Sequence, residues 1–334
     1  MLDHYLRWYE YSLEAMNYTV ANAKTLEGIK RVIILGMGGS GIVGDMIASI
    51  AAASNHPIPV YVHKDFYIPK CLVDEATFVL SISYSGNTLE TVLATRKVLQ
   101  YTKSVGIVAS GGELLKIAEE SGAPYIVVRG GLAPRSALPI MLVASLNLLL
   151  ACRVEVVARD ELQRAIDRLR EAGKAEKISN ELLEFLGSSK LPLIVASQRY
   201  SALATRIKNE LNENSKIPAK VEILPELFHN DIVGWEGAEF RDRAILIDSD
   251  LDYENRLIEF YAEYLDSVGV NTYLLSLWGN VIERLLYGSL IAGITSVKLA
   301  LLRKLDPLQT KSISMYKQLL QEVRKVISDS VHLH

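Results

Sequence analysis

Cysteine is scarce: the 334 residues hold two, Cys71 and Cys152, too few and too far apart for a disulfide framework or a four-ligand metal site. Both are read as ordinary buried thiols, and thiols persist in a reducing, cytoplasmic compartment. Histidine is little commoner, with six residues, and no pair has the H-E-x-x-H spacing of a metal-binding helix. Neither a metal nor another cofactor is therefore expected. Excess charge of one sign is absent as well. Against 39 acidic residues stand 36 basic ones, a net charge of -3, which supplies no general cationic field for nucleic acid. The N-terminal MLDHYLRWYEYSLEAM lacks the basic stretch and apolar core of an export signal. The apolar run LPIMLVASLNLLLAC from Leu138, read as the longest, is shorter than a membrane span and contains Ser145 and Asn147. It reads as a core helix, and no membrane partner is expected.

Two motif absences narrow the field further. No G-x-x-x-x-G-K-[ST] occurs, so there is no nucleoside-triphosphate loop. No helix-turn-helix with a basic reading helix precedes residue 30, which argues against a DNA-binding sensor.

What is present is a globular composition, 49% hydrophobic and 22% charged, over a length that exceeds one ordinary core. The strand RVIIL closes in glycines and opens into an apolar helix; IPVYVHKD, TFVLSISYSGNT, SVGIVAS and PYIVVRG repeat strand-like runs. LPLIVASQRY restarts the scheme, followed by RAILIDSD and VNTYLLSL. Strands alternating with helices predict α/β architecture, two tandem parallel-sheet α/β/α sandwich domains. The expected division is 1–155, with the N-terminal helix, and 156–334, with two C-terminal helices broken at Asp306-Pro307. Those helices are free to fold back over the first domain. The halves match in layout, IILGMGGSG against LIVASQRYS.

GMGGSG, Gly36 to Gly41, allows backbone N–H groups to approach an anion. It departs from G-x-G-x-x-G, and no acidic residue closes the next strand as a ribose anchor, so dinucleotide binding is disfavoured. An empty turn is the bland alternative. SISYSGNT is more informative: Ser83, Ser85 and Thr88 cluster hydroxyls at a strand end, beside a helix N-terminus. That combination suits a small phosphomonoester, or else Ser85 or Thr88 simply caps the helix.

The ordered set GMGGSG, SYSGNT, GGLAPRSALP, NELNENSK, EILPELFHND and DPLQT…YK resembles the archaeal bifunctional phosphoglucose/phosphomannose isomerase family, built from two sugar isomerase domains, over residues 30 to 320. The resemblance implies reversible isomerisation of glucose 6-phosphate and mannose 6-phosphate with fructose 6-phosphate through an enediolate. The alternative is an isomerase or binding protein for another phosphosugar. It also implies that Ser83, Ser85 and Thr88 hold the phosphate, with Gly39 and Ser40 lining the same pocket. Arg135 is then placed near the enediolate oxygens and Glu213 is the proton-shuttling base. His229 assists ring opening and is shared across the subunits of a homodimer. Lys317 joins that end, and Thr310 matches the threonine associated with accepting both epimers. Phe228 stands where a second histidine can occur.

Isomerisation needs a ring opener, a base between C1 and C2, and charge stabilisation for the enediolate, and these residues supply them. Taken on residue type alone, each has a plainer reading. Glu213 fits a solvated helix face, His229 a structural or surface histidine, Arg135 a helix-start surface residue and Lys317 a solvated lysine.

Overall fold

The computed structural model describes residues 1–333. Two short helices, α1 (Leu2–Leu6) and α2 (Trp8–Met16), precede β1 (Arg31–Leu35), α3 (Gly38–Ala53), β2 (Val60–His63), β3 (Thr77–Ile82), α4 (Leu89–Val98), β4 (Val105–Ala109), α5 (Gly112–Ser121), β5 (Tyr125–Val127) and α6 (Leu138–Ala151). There follow α7 (Arg159–Arg168), α8 (Ala172–Leu186), β6 (Leu193–Ser197), α9 (Ser201–Glu210), β7 (Lys220–Leu224), α10 (Asp231–Gly234), β8 (Arg243–Ile247), α11 (Asp252–Ser267), β9 (Asn271–Leu275), α12 (Val281–Leu302) and α13 (Lys311–Leu333).

The chain forms two compact units, residues 10–158 with 310–334, and residues 1–9 with 159–309. The ends therefore group differently from the 1–155 and 156–334 division expected from the sequence. Specific side chains account for it. Tyr316 on α13 donates a 2.8 Å hydrogen bond to Glu90 on α4, and Tyr5 on α1 donates one of 2.8 Å to Glu210 on α9.

In the unit built on residues 10–158, five parallel strands run in the order β2-β1-β3-β4-β5. Every residue of β3 is buried, because both faces are covered and a continuous apolar run, rather than an alternating one, is what such a strand needs. Ile33, Leu35 and Val79 pack against Val92 and Val98 of α4 and Leu114 and Ile117 of α5. On the other face Gly44 of α3 closes on Ile34 and Val62, and Gly106 of β4 makes room for Leu148 of α6.

The unit containing residues 159–309 repeats the plan with four parallel strands in the order β7-β6-β8-β9. The positions correspond to β2-β1-β3-β4, so the duplication read from IILGMGGSG and LIVASQRYS extends to topology. Leu193, Val195 and Leu246 pack on Ile258, Tyr261 and Leu265 of α11. Ile245 and Leu275 face Leu186 of α8, Ile207 of α9 and Ile291 of α12.

Three sequence readings need correction. Cys71 is exposed, on the single turn Lys70–Leu72, whereas Cys152 is buried as expected. The apolar helix of greatest length is α12, 22 residues, rather than α6. By length and composition α12 could cross a membrane, but 83% of its most apolar stretch is buried inside the fold, where it packs on α8, α7 and α9. β7 was not anticipated. It is an edge strand with exposed Lys220 and only half-buried neighbours up to Leu224, so its apolar signal is weak.

Candidate active site

Strand order reverses between β1 and β3, and in open parallel sheets that point leaves a crevice beyond the strand carboxyl ends where ligands bind. Here the crevice receives both hydroxyl- and glycine-rich turns, since GMGGSG leaves β1 and SYSGNT leaves β3. Their register is fixed, with Leu35 paired to Ser81. The turns are also bonded to each other: the Tyr84 N–H donates to the Ser40 hydroxyl at 3.1 Å.

Glycine is required at Gly86, where φ is +67° and a Cβ would lie 1.8 Å from the Gly111 carbonyl oxygen. Ser83 is buried, Thr88 half-buried and Ser85 exposed. The Ser83 and Thr88 hydroxyls share a hydrogen bond of 2.9 Å, and Ser85 Oγ accepts the Asn87 N–H at 3.2 Å. Thr88 occupies the N-cap of α4 without a side-chain cap bond, and Met37 does the same at α3. The capping alternative for Thr88 thus does not describe its hydroxyl. Neither cap side chain takes a first-turn amide, and the helix dipoles favour an anion at both N-termini.

Arg135 is buried close by. A Cβ on Gly39 would meet the Pro134 carbonyl at 3.2 Å and the Arg135 nitrogen at 3.4 Å, so the GGLAPR segment lies directly on the glycine turn. Its bend is held by Tyr84, whose hydroxyl accepts the Leu132 N–H at 2.9 Å. Thr310, half-buried, and Lys317, exposed, lie at the start of and along α13. The Tyr316–Glu90 bond ties that helix to α4, the helix that SYSGNT opens. Burial, then the bond to the Glu90 carboxylate, pushes the Tyr316 phenol up to about 12.

Glu213 and His229 belong to the other unit. Glu213 is half-buried on a π turn, Leu211–Ser215, that continues α9. π segments inside helices recur at functional sites because they re-aim one side chain. This one ends at Lys216, which takes a left-handed φ of +57° and donates its ammonium to the carbonyls of Glu213 at 2.7 Å, Asn214 at 3.2 Å and Asp306 at 3.0 Å.

His229 is exposed at the end of a single turn after β7. Asp231 anchors that loop: it is buried and accepts hydrogen bonds from Lys220, Tyr261 and Trp235. Burial alone would raise the Asp231 carboxyl, but those three donors outweigh it and hold it below the ordinary carboxylate range. Phe228 is drawn away into the apolar cluster, 5.8 Å from the Phe260 ring and 5.7 Å from that of Tyr261.

The equivalent reversal point in this unit, between β6 and β8, is furnished differently. Asp250 takes Arg199 at 2.8 Å and the Tyr200 hydroxyl at 2.7 Å, while Asp248 takes Arg284 at 2.8 Å. These carboxylates and their own arginines occupy the place where the first unit presents neutral hydroxyls. A separate open cleft of about 300 Å³, lined by Lys190, Arg241 and Arg243, lies at the opposite, amino-terminal edge of the sheet. Among the described residues no group of His, Cys, Asp and Glu side chains is arranged to hold a metal ion.

Comparison with known proteins decides the family. The sequence is 34% identical to the bifunctional phosphoglucose/phosphomannose isomerase of Aeropyrum pernix, over 96% of this chain and 98% of that protein. The chain belongs to the bifunctional phosphoglucose/phosphomannose isomerase family. An Aquifex aeolicus protein of the same name is 32% identical over 90% of this chain and 93% of its own. Residues 171–320 match the family described as bacterial phospho-glucose isomerase C-terminal SIS domain. A D-glucosamine-6-phosphate 4-epimerase from Sulfolobus acidocaldarius is also similar, 31% identical over 90% of this chain and 91% of that one. In fold, the C-terminal domain of glucosamine-fructose-6-phosphate aminotransferase from Francisella tularensis superposes with a TM-score of 0.72, covering 92% of this chain and 96% of that one at 15% identity.

Sequence reasoning missed the buried cluster of Glu210, Arg206 and Tyr5 beside Glu213. The first two fall in and beside NELNENSK, but their burial gives no sequence signal distinct from a solvated helix face.

Proposed function

We propose that this chain interconverts glucose 6-phosphate and mannose 6-phosphate with fructose 6-phosphate through an enediolate, with Glu213 as the base. The observation that carries the reading is the hydroxyl-lined, amide-rich crevice at the β1/β3 reversal point in a chain whose relatives, matched over nearly their full length, are isomerases of that name. A phosphomonoester seats on Ser83, Ser85, Thr88 and the turn containing Gly39 and Ser40, held by neutral donors and helix termini. Arg135 presents its guanidinium to the developing enediolate oxygens. Glu213 moves the proton between C1 and C2, using one carboxylate for removal and return. His229 and Lys317 open the ring, and Thr310 contacts the C2 end and admits both epimers.

The exposure of His229 supports its being lent across a homodimer, as does the apolar surface of α13, where Met315 is 68% and Leu319 51% exposed. Both cysteines are free thiols, in keeping with a cytoplasmic setting. The Sulfolobus relative supports a second reading, another phosphosugar turned over on the same cradle. A coupled, metal-free assay of the wild type and Glu213→Gln with each aldose phosphate separates the two. Turnover of both sugars, cut about 10²- to 10⁴-fold in the variant, is expected. Full activity in Glu213→Gln would remove the base assignment, and no turnover of either sugar by the wild type would favour the second reading.

A further inference from the structure

The π turn that carries Glu213 sits on a buried ionic cluster. Glu210, the last residue of α9, and Arg206 one helical turn earlier form an ion pair whose side chains are 0% and 2% exposed. The second oxygen of Glu210 accepts the Tyr5 hydroxyl of α1 at 2.8 Å, the Asn214 amide at 2.6 Å and the Ser296 hydroxyl of α12 at 3.3 Å. Asn214, the residue after Glu213, also donates to Ser296 Oγ at 2.9 Å, and Ser215 donates to the Ser296 carbonyl at 2.8 Å. Tyr5 can reach this point because α12 offers no side chain at Gly293, where a Cβ would stand 2.1 Å from the Tyr5 ring.

A buried ion pair costs desolvation, and apolar residues of similar volume often give equal or greater stability. What such a cluster gives instead is a fixed geometry, since every partner constrains the others. Here the constrained segment is irregular backbone, and irregular backbone persists only where its surroundings over-determine it. Residues 211, 214 and 215 are locked inward while residue 213 is left half-exposed.

We infer that Glu210, held by Arg206 and Tyr5, is a positioning residue for the base Glu213, and that α1 is thereby part of the catalytic scaffold. The inference rests on the assignment of Glu213 as base. Glu210 acts through the turn: it aims the carboxylate of Glu213 at the carbons between which the proton moves, and a displacement of the order of 1 Å would cost about 100-fold in rate.

Glu210→Gln removes the negative charge facing Arg206 and is a severe test of folding, so Tyr5→Phe is the deciding variant. It deletes one hydroxyl and keeps the ring on Gly293. Kinetics with fructose 6-phosphate, alongside circular dichroism and thermal melting, give the readouts. A folded Tyr5→Phe enzyme is expected to show kcat lowered about 10- to 100-fold with KM within about twofold of wild type, because the phosphate cradle is untouched. In D₂O, each turnover of the variant should place more solvent deuterium at C2, as a misaimed carboxylate returns its proton less directly. Wild-type kcat and deuterium content in folded Tyr5→Phe, with Glu213→Gln inactive, would overturn the positioning role and leave the base in place. Equal activity in Glu213→Gln would instead remove the base, and the inference with it.

Discussion

The hydroxyls of Ser83 and Thr88 lie 2.9 Å apart across the turn that joins β3 to α4, one buried and the other at the helix N-cap. One of the two hydroxyls donates to the other, and in the proposed phosphate site both would serve as neutral donors. Ser83→Ala and Thr88→Ala are therefore expected to raise KM for fructose 6-phosphate by about 10- to 100-fold each, the value of one hydrogen bond to a charged group. Steady-state kinetics check this. A fall in kcat at unchanged KM would place these hydroxyls at the reacting carbons instead.

Of two crevices at strand-order reversals, the second is filled by Asp248 and Asp250 with Arg284 and Arg199. A dianionic ligand would have to displace two carboxylates already paired there, an unfavourable exchange of like charges. Calorimetric titration of Glu213→Gln with fructose 6-phosphate should thus give one site per chain. Two sites per chain would show that the duplicated domain keeps a working cradle.

Asp231 joins its loop to β7 and α11 through Lys220, Trp235 and Tyr261. A carboxyl held below its ordinary range stabilises the fold in full above the unfolded value of about 3.9, and that contribution is lost as pH falls through the lower folded value. Asp231→Asn should be destabilised at pH 7 by about 1–3 kcal/mol, with the difference from wild type shrinking below about pH 4. Urea midpoints at pH 7 and pH 3.5 measure it. A deficit that stays constant over that range would assign the loss to shape rather than charge. On the proposed ring-opening role of His229, two residues away, kcat should fall with the loop order while KM for fructose 6-phosphate stays near the wild-type value.

Much of the molecule was legible in its letters. RVIIL, TFVLSI and LIVAS are β-branched and apolar throughout, and a run of that kind closed by small polar residues has few alternatives to a covered parallel strand. GMGGSG and SYSGNT could be placed for the same reason: Gly86 takes a dihedral and a contact that other residues resist, and it marks its turn in the sequence. β7 escaped because an edge strand is only half inside, and its Lys220 and Glu222 read as surface. Cys71 was taken as buried from residue type alone, yet a three-residue turn has no inside face to hide it.

Two α/β units, the glycine- and hydroxyl-rich turns that end two of their strands, and the family were already set in the amino-acid sequence. Those features arise from local periodicity and from glycine and hydroxyl residues whose meaning is set within a few positions of chain. Tertiary structure alone decided which unit each end joins, that Asp248 and Asp250 occupy the second crevice, and that Tyr5 reaches Glu210 across 205 residues. Each depends on which side chains are brought out of water together. A glutamate on a polar helix and one sealed against an arginine are the same letter until the fold removes the solvent.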